Sequence, residues 1–381
     1  MQEVFIKEIK NKNIQTELQQ IGFDEEYRII ASDKFRYKNF KIYNLSPAQA
    51  NIIKQTALSV GADCATHKEV IRGNIELSNA ILGGSISQIK KISEKLKFQP
   101  FKLGEIGENI YKQSITQRLA ITKLAGVLNI TPDSFSDGGK YFGSKEKITS
   151  AQEHLLQMIE DGADIIDIGA ESTRPYSEAV PAEEQIERLK PILNFIQKEN
   201  IKTPISIDTR SSDVADFALN NGANIINDTS GFNYDRKIAD IVAKYKARVI
   251  LQHTKGLPEN MQDKPFYTNV VEEVYISLKN KIDYAKSLGI EDIIADIGIG
   301  FGKLKEHNFE LLDRIEEFYS LNCPIMAGIS RKSLLGIKEN DNDLKDSMSA
   351  ALSYPLIKKG IDYLRVHNVK LHRTLIDNTI I

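Results

Sequence analysis

The most regular feature of the chain is an alternation, starting near Leu119, between short β-rich apolar runs and longer stretches with helical period. The runs are Ala125–Thr131, Ala163–Ala170, Pro204–Thr209, Ile225–Ser230, Ala247–His253, Asp292–Gly298, Pro324–Ser330 and Tyr363–Val369. Each is apolar or nearly so across its middle, and an uninterrupted apolar strand implies burial on both faces and therefore parallel pairing. Between the runs, Ala151, Leu155, Met158 and Ile159 fall on one helical stripe, as do Val271, Val274, Tyr275, Leu278 and Ile282. Eight such units in about 260 residues match the size of a (βα)8 barrel. An open doubly wound sheet would carry a glycine-rich dinucleotide turn after its first strand. Here that strand runs into Thr131-Pro-Asp-Ser-Phe-Ser-Asp-Gly-Gly139, which contains no G-x-G-x-x-G. The expected fold class is α/β, a TIM barrel over residues 116–381.

Residues 1–115 lie outside this rhythm and read as a small α+β domain whose role the sequence does not reveal. Arg28–Ala31, Lys41–Asn44 and Asn79–Leu82 read as strands, Ser46–Val60 and Ile86–Leu96 as helices, and Phe101–Gln117 as a linker helix. Ser46-Pro47 is a good helix start, with serine as N-cap and proline at the first helical position. Cys64, His67 and Lys68 sit close together, and a solvated turn is the simpler account of them than a site.

Composition narrows the class. The 381 residues are 41% hydrophobic and 27% charged with a net charge of −2, as in an ordinary globular protein. No run approaches the ~18 apolar residues of a membrane helix, and the first residues lack a signal peptide's basic-then-apolar order, so a cytoplasmic location and no membrane partner are expected. Two cysteines, Cys64 and Cys323, are too few for a disulfide framework and lack zinc spacing. Lysines scattered among acids give no basic face for nucleic acid, although a small anion needs only a few local cations.

In a barrel of this kind the working surface lies at the C-terminal ends of the strands. The polar residues there are Asn129, Glu171-Ser-Thr-Arg174, Asp208-Thr-Arg210, Asn227-Asp228, Gln252-His253, Asp296, Ser330-Arg-Lys332 and Arg365-Val-His367. Asp208 could simply cap the next helix. Yet Asp208, Asn227 and Asp296 together would rim the barrel mouth and need a partner. An amino-pyrimidinone ring, with adjacent N–H and NH2 donors, is one such partner. Lys332 as an internal counter-ion is the plainer alternative. Arg331, Lys332, Arg365 and His367 converge on two neighbouring strand ends where many barrels bind phosphate. Asn129 stands beside them, either as an oxygen ligand for Mg2+ held mainly by phosphates and water or as an interior hydrogen-bonding group. The Gly/Pro-rich loops at Thr131–Phe142 and Glu171–Pro181 read as lids or as irregular connections. Gly298-Ile-Gly-Phe-Gly-Lys303 looks like a phosphate loop, but its glycines are better read as letting the strand end approach a flat ligand, with Phe301 as a wall.

Gly126-Val-Leu-Asn-Ile-Thr-Pro-Asp-Ser-Phe-Ser-Asp-Gly-Gly139 strongly resembles the first signature of the dihydropteroate synthase family. Asp164-Ile-Ile-Asp-Ile-Gly-Ala-Glu-Ser-Thr-Arg-Pro175, Ser206-Ile-Asp-Thr209, Ile225-Ile-Asn-Asp228, Gly300-Phe-Gly-Lys303, Ser330-Arg-Lys-Ser333 and Arg365-Val-His367 agree in order and spacing, so the resemblance covers about residues 119–371. It implies an enzyme that joins 6-hydroxymethyl-7,8-dihydropterin pyrophosphate to p-aminobenzoate with Mg2+ as cofactor, and it suggests a homodimer. By position, the resemblance puts pterin on Asp208, Asn227, Asp296 and Lys332. Pyrophosphate falls on Arg365 and His367 with Arg174 contributing, and metal on Asn129. The p-aminobenzoate pocket falls on Thr173, Arg174, Pro175, Phe301 and Ser333, with Phe135 and Asp137 closing over it. Catalytic weight rests on Asp208, Lys332, Asp137 and Arg365.

The chain departs from the family pattern at Tyr176, Gln252, Ile297 and Asn368, which stand where glycine, methionine, proline and aspartate are usual. The competing readings are a methyltetrahydrofolate-binding methyltransferase domain, which would not need the anion cluster, and a pterin-binding module without catalysis.

Overall fold

In the computed structural model the described residues are 4–10, 13–116, 121–131, 145–171, 179–256, 261–337 and 341–379. The chain divides into two compact units, residues 1–118 and 119–381. No helix among the described residues is long and apolar enough to cross a membrane.

The smaller unit contains α1 (Ile14–Gln20), α2 (Arg28–Phe35), β1 (Tyr37–Leu45), α3 (Pro47–Leu58), β2 (Asp63–Thr66), β3 (Ser78–Ser85), α4 (Ile86–Leu96) and α5 (Leu103–Ile115). Its antiparallel sheet has the order β1-β3-β2. Helices α3 and α4 begin the same way. Ser46 Oγ accepts from Gln49 N at 3.3 Å while Gln49 Oε1 accepts from Ser46 N at 2.9 Å, and Ser85 and Gln88 repeat the exchange at the same distances. Such capping boxes satisfy amide donors that the helix itself leaves open. Leu45, Ile53, Cys64, Leu82, Ile89, Ile92, Leu96, Leu103 and Ile110 share one core.

Three expectations change in this unit. Arg28–Ala31 is helix, because that geometry lays Ala31 against Ile14 and Leu18, while the β-favouring Ile29 and Ile30 face outward. The Cys64, His67 and Lys68 trio is only partly a solvated turn: Cys64 lies in β2, buried in the core, with its thiol pushed up to about 11 by that burial. Finally, α5 packs on α4 as part of the unit's core and is not a bare linker.

The larger unit alternates without exception. The strands are β4 (Lys123–Asn129), β5 (Ile165–Gly169), β6 (Ile205–Asp208), β7 (Ile225–Asp228), β8 (Arg248–Gln252), β9 (Ile293–Asp296), β10 (Ile325–Ala327) and β11 (Tyr363–Val366). Each is followed by a helix: α6 (Lys145–Glu160), α7 (Ala182–Lys198), α8 (Ser212–Asn220), α9 (Lys237–Tyr245), α10 (Val270–Ser287), α11 (Lys305–Asp313), α12 (Asn342–Lys358) and α13 (Val369–Asp377). The strands pair in parallel and close, with β11 returning to β4. All eight apolar runs are strands of this barrel. Outward residues such as Ile166, Ile168, Ile207, Ile226, Val249, Leu251, Ile293, Leu364 and Val366 join the helices in the main core. Cys323 is buried there and carries no disulfide.

Candidate active site

Successive strand residues face opposite sides, so each run carries a second, inward sequence. Ala125, Ile165, Ile225, Ile250, Ile294, Met326 and Tyr363 form an apolar plug inside the barrel. Two residues further along β5, β7, β8, β9 and β11 the inward positions become Asp167, Asn227, Gln252, Asp296 and Arg365, all buried. The barrel interior therefore changes from hydrocarbon to a polar layer within one step of the strand period.

Ion pairs organise this layer. Arg365 Nη2 lies 2.9 Å from Asp296 Oδ2, and Arg365 Nε lies 3.9 Å from Asp167 Oδ2. Arg365 Nη2 also donates to Gln252 Oε1 at 3.0 Å. Asn227 Nδ2 donates to Asp167 Oδ2 at 2.9 Å, which turns its Oδ1 into a buried acceptor without a hydrogen-bond partner among the described residues. Asp208 Oδ1 is a second such acceptor. Burial, and next the neighbouring Asp167 carboxylate, holds the Asp208 carboxyl well above the usual range, and burial also raises Asp167. An arrangement of acceptors with too few donors is complementary to a donor-rich ligand.

The Asp296 end of β9 continues into a tightly bound loop. Asp296 Oδ1 accepts from Gly298 N at 2.8 Å. Gly298 sits at φ +66°, and a Cβ there would stand 1.8 Å from the His253 carbonyl oxygen, so only glycine fits. Lys303 Nζ donates to the carbonyls of Gly298 at 2.8 Å and Phe301 at 3.0 Å and meets His253 Nδ1 at 2.9 Å. Gln262 holds the Gly300 carbonyl and Tyr267 that of Gly302, while Lys332 donates to that of Ile299. Lys332 Nζ also stands 4.5 Å from the centre of the buried Phe301 ring. Burial, and next the charge of Arg365, pushes the Lys332 amine down to about 7.

Asp208, Asn227, Asp296, Lys332, Arg365 and Phe301 thus share one end of the barrel. The counter-ion of the carboxylates is Arg365, set inside the barrel and not on an exposed rim, while Lys332 rests on the β9 loop. His367 meets Ser330 Oγ through both its backbone N–H, at 3.2 Å, and its ring Nδ1, at 2.9 Å. Arg331 does not belong to the expected anion cluster: its guanidinium grips Asp346 of α12 at 2.7 and 2.8 Å. Asn368 caps α13 through Leu371 N and reaches the same Asp346, so the departure from aspartate has a structural use. Asp228 accepts from the backbone of Ser230, Gly231 and Phe232, and Arg210 pairs with Glu171 at 3.1 Å. Ser333 is exposed in the turn after Lys332, and Asn129 ends β4, half-buried. Phe135, Asp137, Thr173, Arg174 and Pro175 lie outside the described residues. Sequence reasoning gave no role to Asp167 or Lys303. The signal for Asp167 was present in β5, where a carboxylate occupies the inward phase two places after Ile165.

Comparison with known proteins agrees with this geometry. Residues 125–367 match the family model described as pterin binding enzyme. The chain is 32% identical over 381 residues to the bifunctional dihydropteroate synthase/dihydropteroate reductase of Helicobacter pylori, covering 98% of this chain and 97% of that protein. It is 42% identical over 252 residues to the dihydropteroate synthase of Clostridium beijerinckii, covering 65% of this chain and 89% of the relative. Among solved structures, dihydropteroate synthase from Clostridium difficile, determined in the presence of pteroic acid, superposes with a TM-score of 0.62 at 34% identity, covering 69% of this chain and 97% of that one. The match of the family model to residues 125–367, together with a relative 32% identical over nearly the whole chain, makes the chain a member of the pterin binding enzymes, within the dihydropteroate synthases.

Proposed function

We propose that the barrel joins the methylene carbon of 6-hydroxymethyl-7,8-dihydropterin pyrophosphate to the amine of p-aminobenzoate. A C–N bond forms, the C–O bond to pyrophosphate breaks, and 7,8-dihydropteroate, pyrophosphate and a proton result. The observation that carries the assignment of residues is the set of buried acceptors at Asp208, Asn227 and Asp296. The pterin ring presents N–H donors complementary to such a set, and carboxylates around it stabilise the positive charge that develops as pyrophosphate leaves. Lys332 donates to the ring from the β9 side, with Phe301 as the wall beneath it. His367 with Ser330 serves the leaving anion. The arylamine is neutral near pH 7, so the reaction needs no strong base.

Mg2+ fits as cofactor. No group of three or more His, Cys, Asp or Glu among the described residues could cage a metal. Asn129 offers one neutral oxygen, as suits an ion held mainly by phosphates and water. When bound, Mg2+ would stabilise charge on the leaving pyrophosphate. A cytoplasmic homodimer completes the reading, and sedimentation of the purified chain tests the dimer.

The Lys332 amine makes pterin binding depend on pH. In the free protein it loses its proton above about pH 7, and ligand contact with the ammonium form raises its pKa. Pterin affinity is therefore expected to fall as pH rises above about 7, by up to roughly tenfold per unit. Calorimetric titration across pH 6–9 reads this, and Lys332→Met should flatten the descent. A wild-type profile that is level, or that rises, contradicts the role.

A second activity is favoured by one observation: the similarity to the Helicobacter pylori protein extends through the small unit, whereas the Clostridium beijerinckii relative covers 65% of the chain. We infer that residues 1–118 contribute a dihydropteroate reductase activity, taking hydride from a reduced nicotinamide or flavin. Donor oxidation by the full chain that depends on added dihydropteroate, and that survives Asp208→Asn, is the expected result. Absence of oxidation with either donor class rejects it.

A further inference from the structure

We propose that Gln252 is a positioning residue for Arg365, and through it for the pterin slot. The inference rests on the reading of the barrel as a pterin site. Gln252 is fully buried at the end of β8, in register with Asp296 on β9. Its side-chain amide is held at every group. Nε2 donates to the Thr229 carbonyl and to Thr254 Oγ1, both at 3.3 Å, which leaves Oε1 aimed at Arg365 Nη2, 3.0 Å away. The reversed amide would face N–H groups against a guanidinium and a carbonyl oxygen against a carbonyl oxygen, so the network sets the orientation. The backbone of Gln252 is tied as well, because the buried Lys281 amine of α10 donates to its carbonyl at 2.9 Å.

The guanidinium has one place to lie. Nη2 is shared between Gln252 Oε1 and Asp296 Oδ2, and Nη1 approaches Met326 Sδ at 3.7 Å. It crosses over Gly328 at the end of β10, where even a Cβ would come within 3.2 Å of Nη2. Of the groups holding it, Asp296 is also required by the ligand. Asp167 faces Nε at 3.9 Å and does not reach Nη2, so without a second acceptor at Nη2 that nitrogen and the ring would compete for Asp296. Gln252 supplies that acceptor without adding another negative charge beside Asp167, Asp208 and Asp296. Arg365 is then already placed when the ring arrives, and little ordering remains to be done on binding.

Gln252→Met keeps the volume and removes the acceptor. Calorimetry of the dihydropterin substrate is expected to show affinity weakened about tenfold, as for loss of one hydrogen bond to a charged group. The KM for p-aminobenzoate should stay within about twofold, since that amine binds elsewhere at the mouth. The deciding measurement is a double-mutant cycle. In an Arg365→Met background, adding Gln252→Met should change pterin affinity less than twofold, a non-additivity that a wall or folding role would not produce. Equal losses in both backgrounds, or no loss in the wild-type background, overturn the inference while leaving the pterin site intact. A wild-type chain that binds no pterin overturns the reading beneath it. Gln252→Leu provides an independent second removal of the acceptor.

Discussion

Asp208→Asn is expected to weaken pterin binding on the order of a hundredfold while making the free protein more stable. The two effects have one cause. Asp208 presents a buried oxygen with no hydrogen-bond partner among the described residues, beside the carboxylate of Asp167. Its ligand contact is charge-assisted, and losing such a bond costs roughly 1.5–3 kcal/mol. In the free barrel the same carboxylate is unfavourably placed. Because its folded pKa lies above the unfolded one, the native state binds the extra proton, and stability falls as pH rises from about 4 through the folded pKa. The neutral amide removes that descent. Melting temperature should therefore rise by a few degrees at pH 8, at ~2–4 °C per kcal/mol for a unit of this size, and the gain should shrink as pH falls. Unchanged pterin affinity, or a variant less stable than wild type at pH 8, contradicts the assignment.

Arg365→Met should act in the opposite sense on stability. It removes the guanidinium that faces Asp296 and Asp167 inside the barrel, and breaking a buried pair by removing one partner costs about 3–5 kcal/mol. Turnover should fall at least a hundredfold, because the residue is the internal counter-ion of the carboxylates proposed to hold the ring. The stranded carboxylates then hold protons to higher pH, so the variant should regain stability as the solution is acidified. Adding Asp167→Asn should restore part of the melting temperature and none of the activity. A variant that melts like the wild type would show that the guanidinium is not the internal counter-ion.

All eight barrel strands were legible because parallel strands buried on both faces leave continuous apolar runs. The small unit was less so. Ile29-Ile30 reads as strand in a short window, and only the tertiary contact of Ala31 with Ile14 and Leu18 makes it helical. At the site, the convergence of Asp208, Asn227, Asp296 and Lys332 on one end of the barrel was available from strand-end position. Their division of labour was not. Whether Lys332 or Arg365 neutralises the carboxylates depends on which long side chain turns inward, and Gly328, just past the end of β10 and two strands on from Gln252, helps decide it. Arg331 shows the same limit in reverse: adjacent to Lys332, at φ +58°, it points to Asp346 of α12 and away from the anion cluster.

Synthase activity is read directly by pyrophosphate release from 6-hydroxymethyl-7,8-dihydropterin pyrophosphate with Mg2+, run with and without p-aminobenzoate, while dihydropteroate is quantified in the same samples. Release that depends on p-aminobenzoate and equals the dihydropteroate formed is the predicted result. Pterin binding without any release, or release with no dihydropteroate formed, would contradict it.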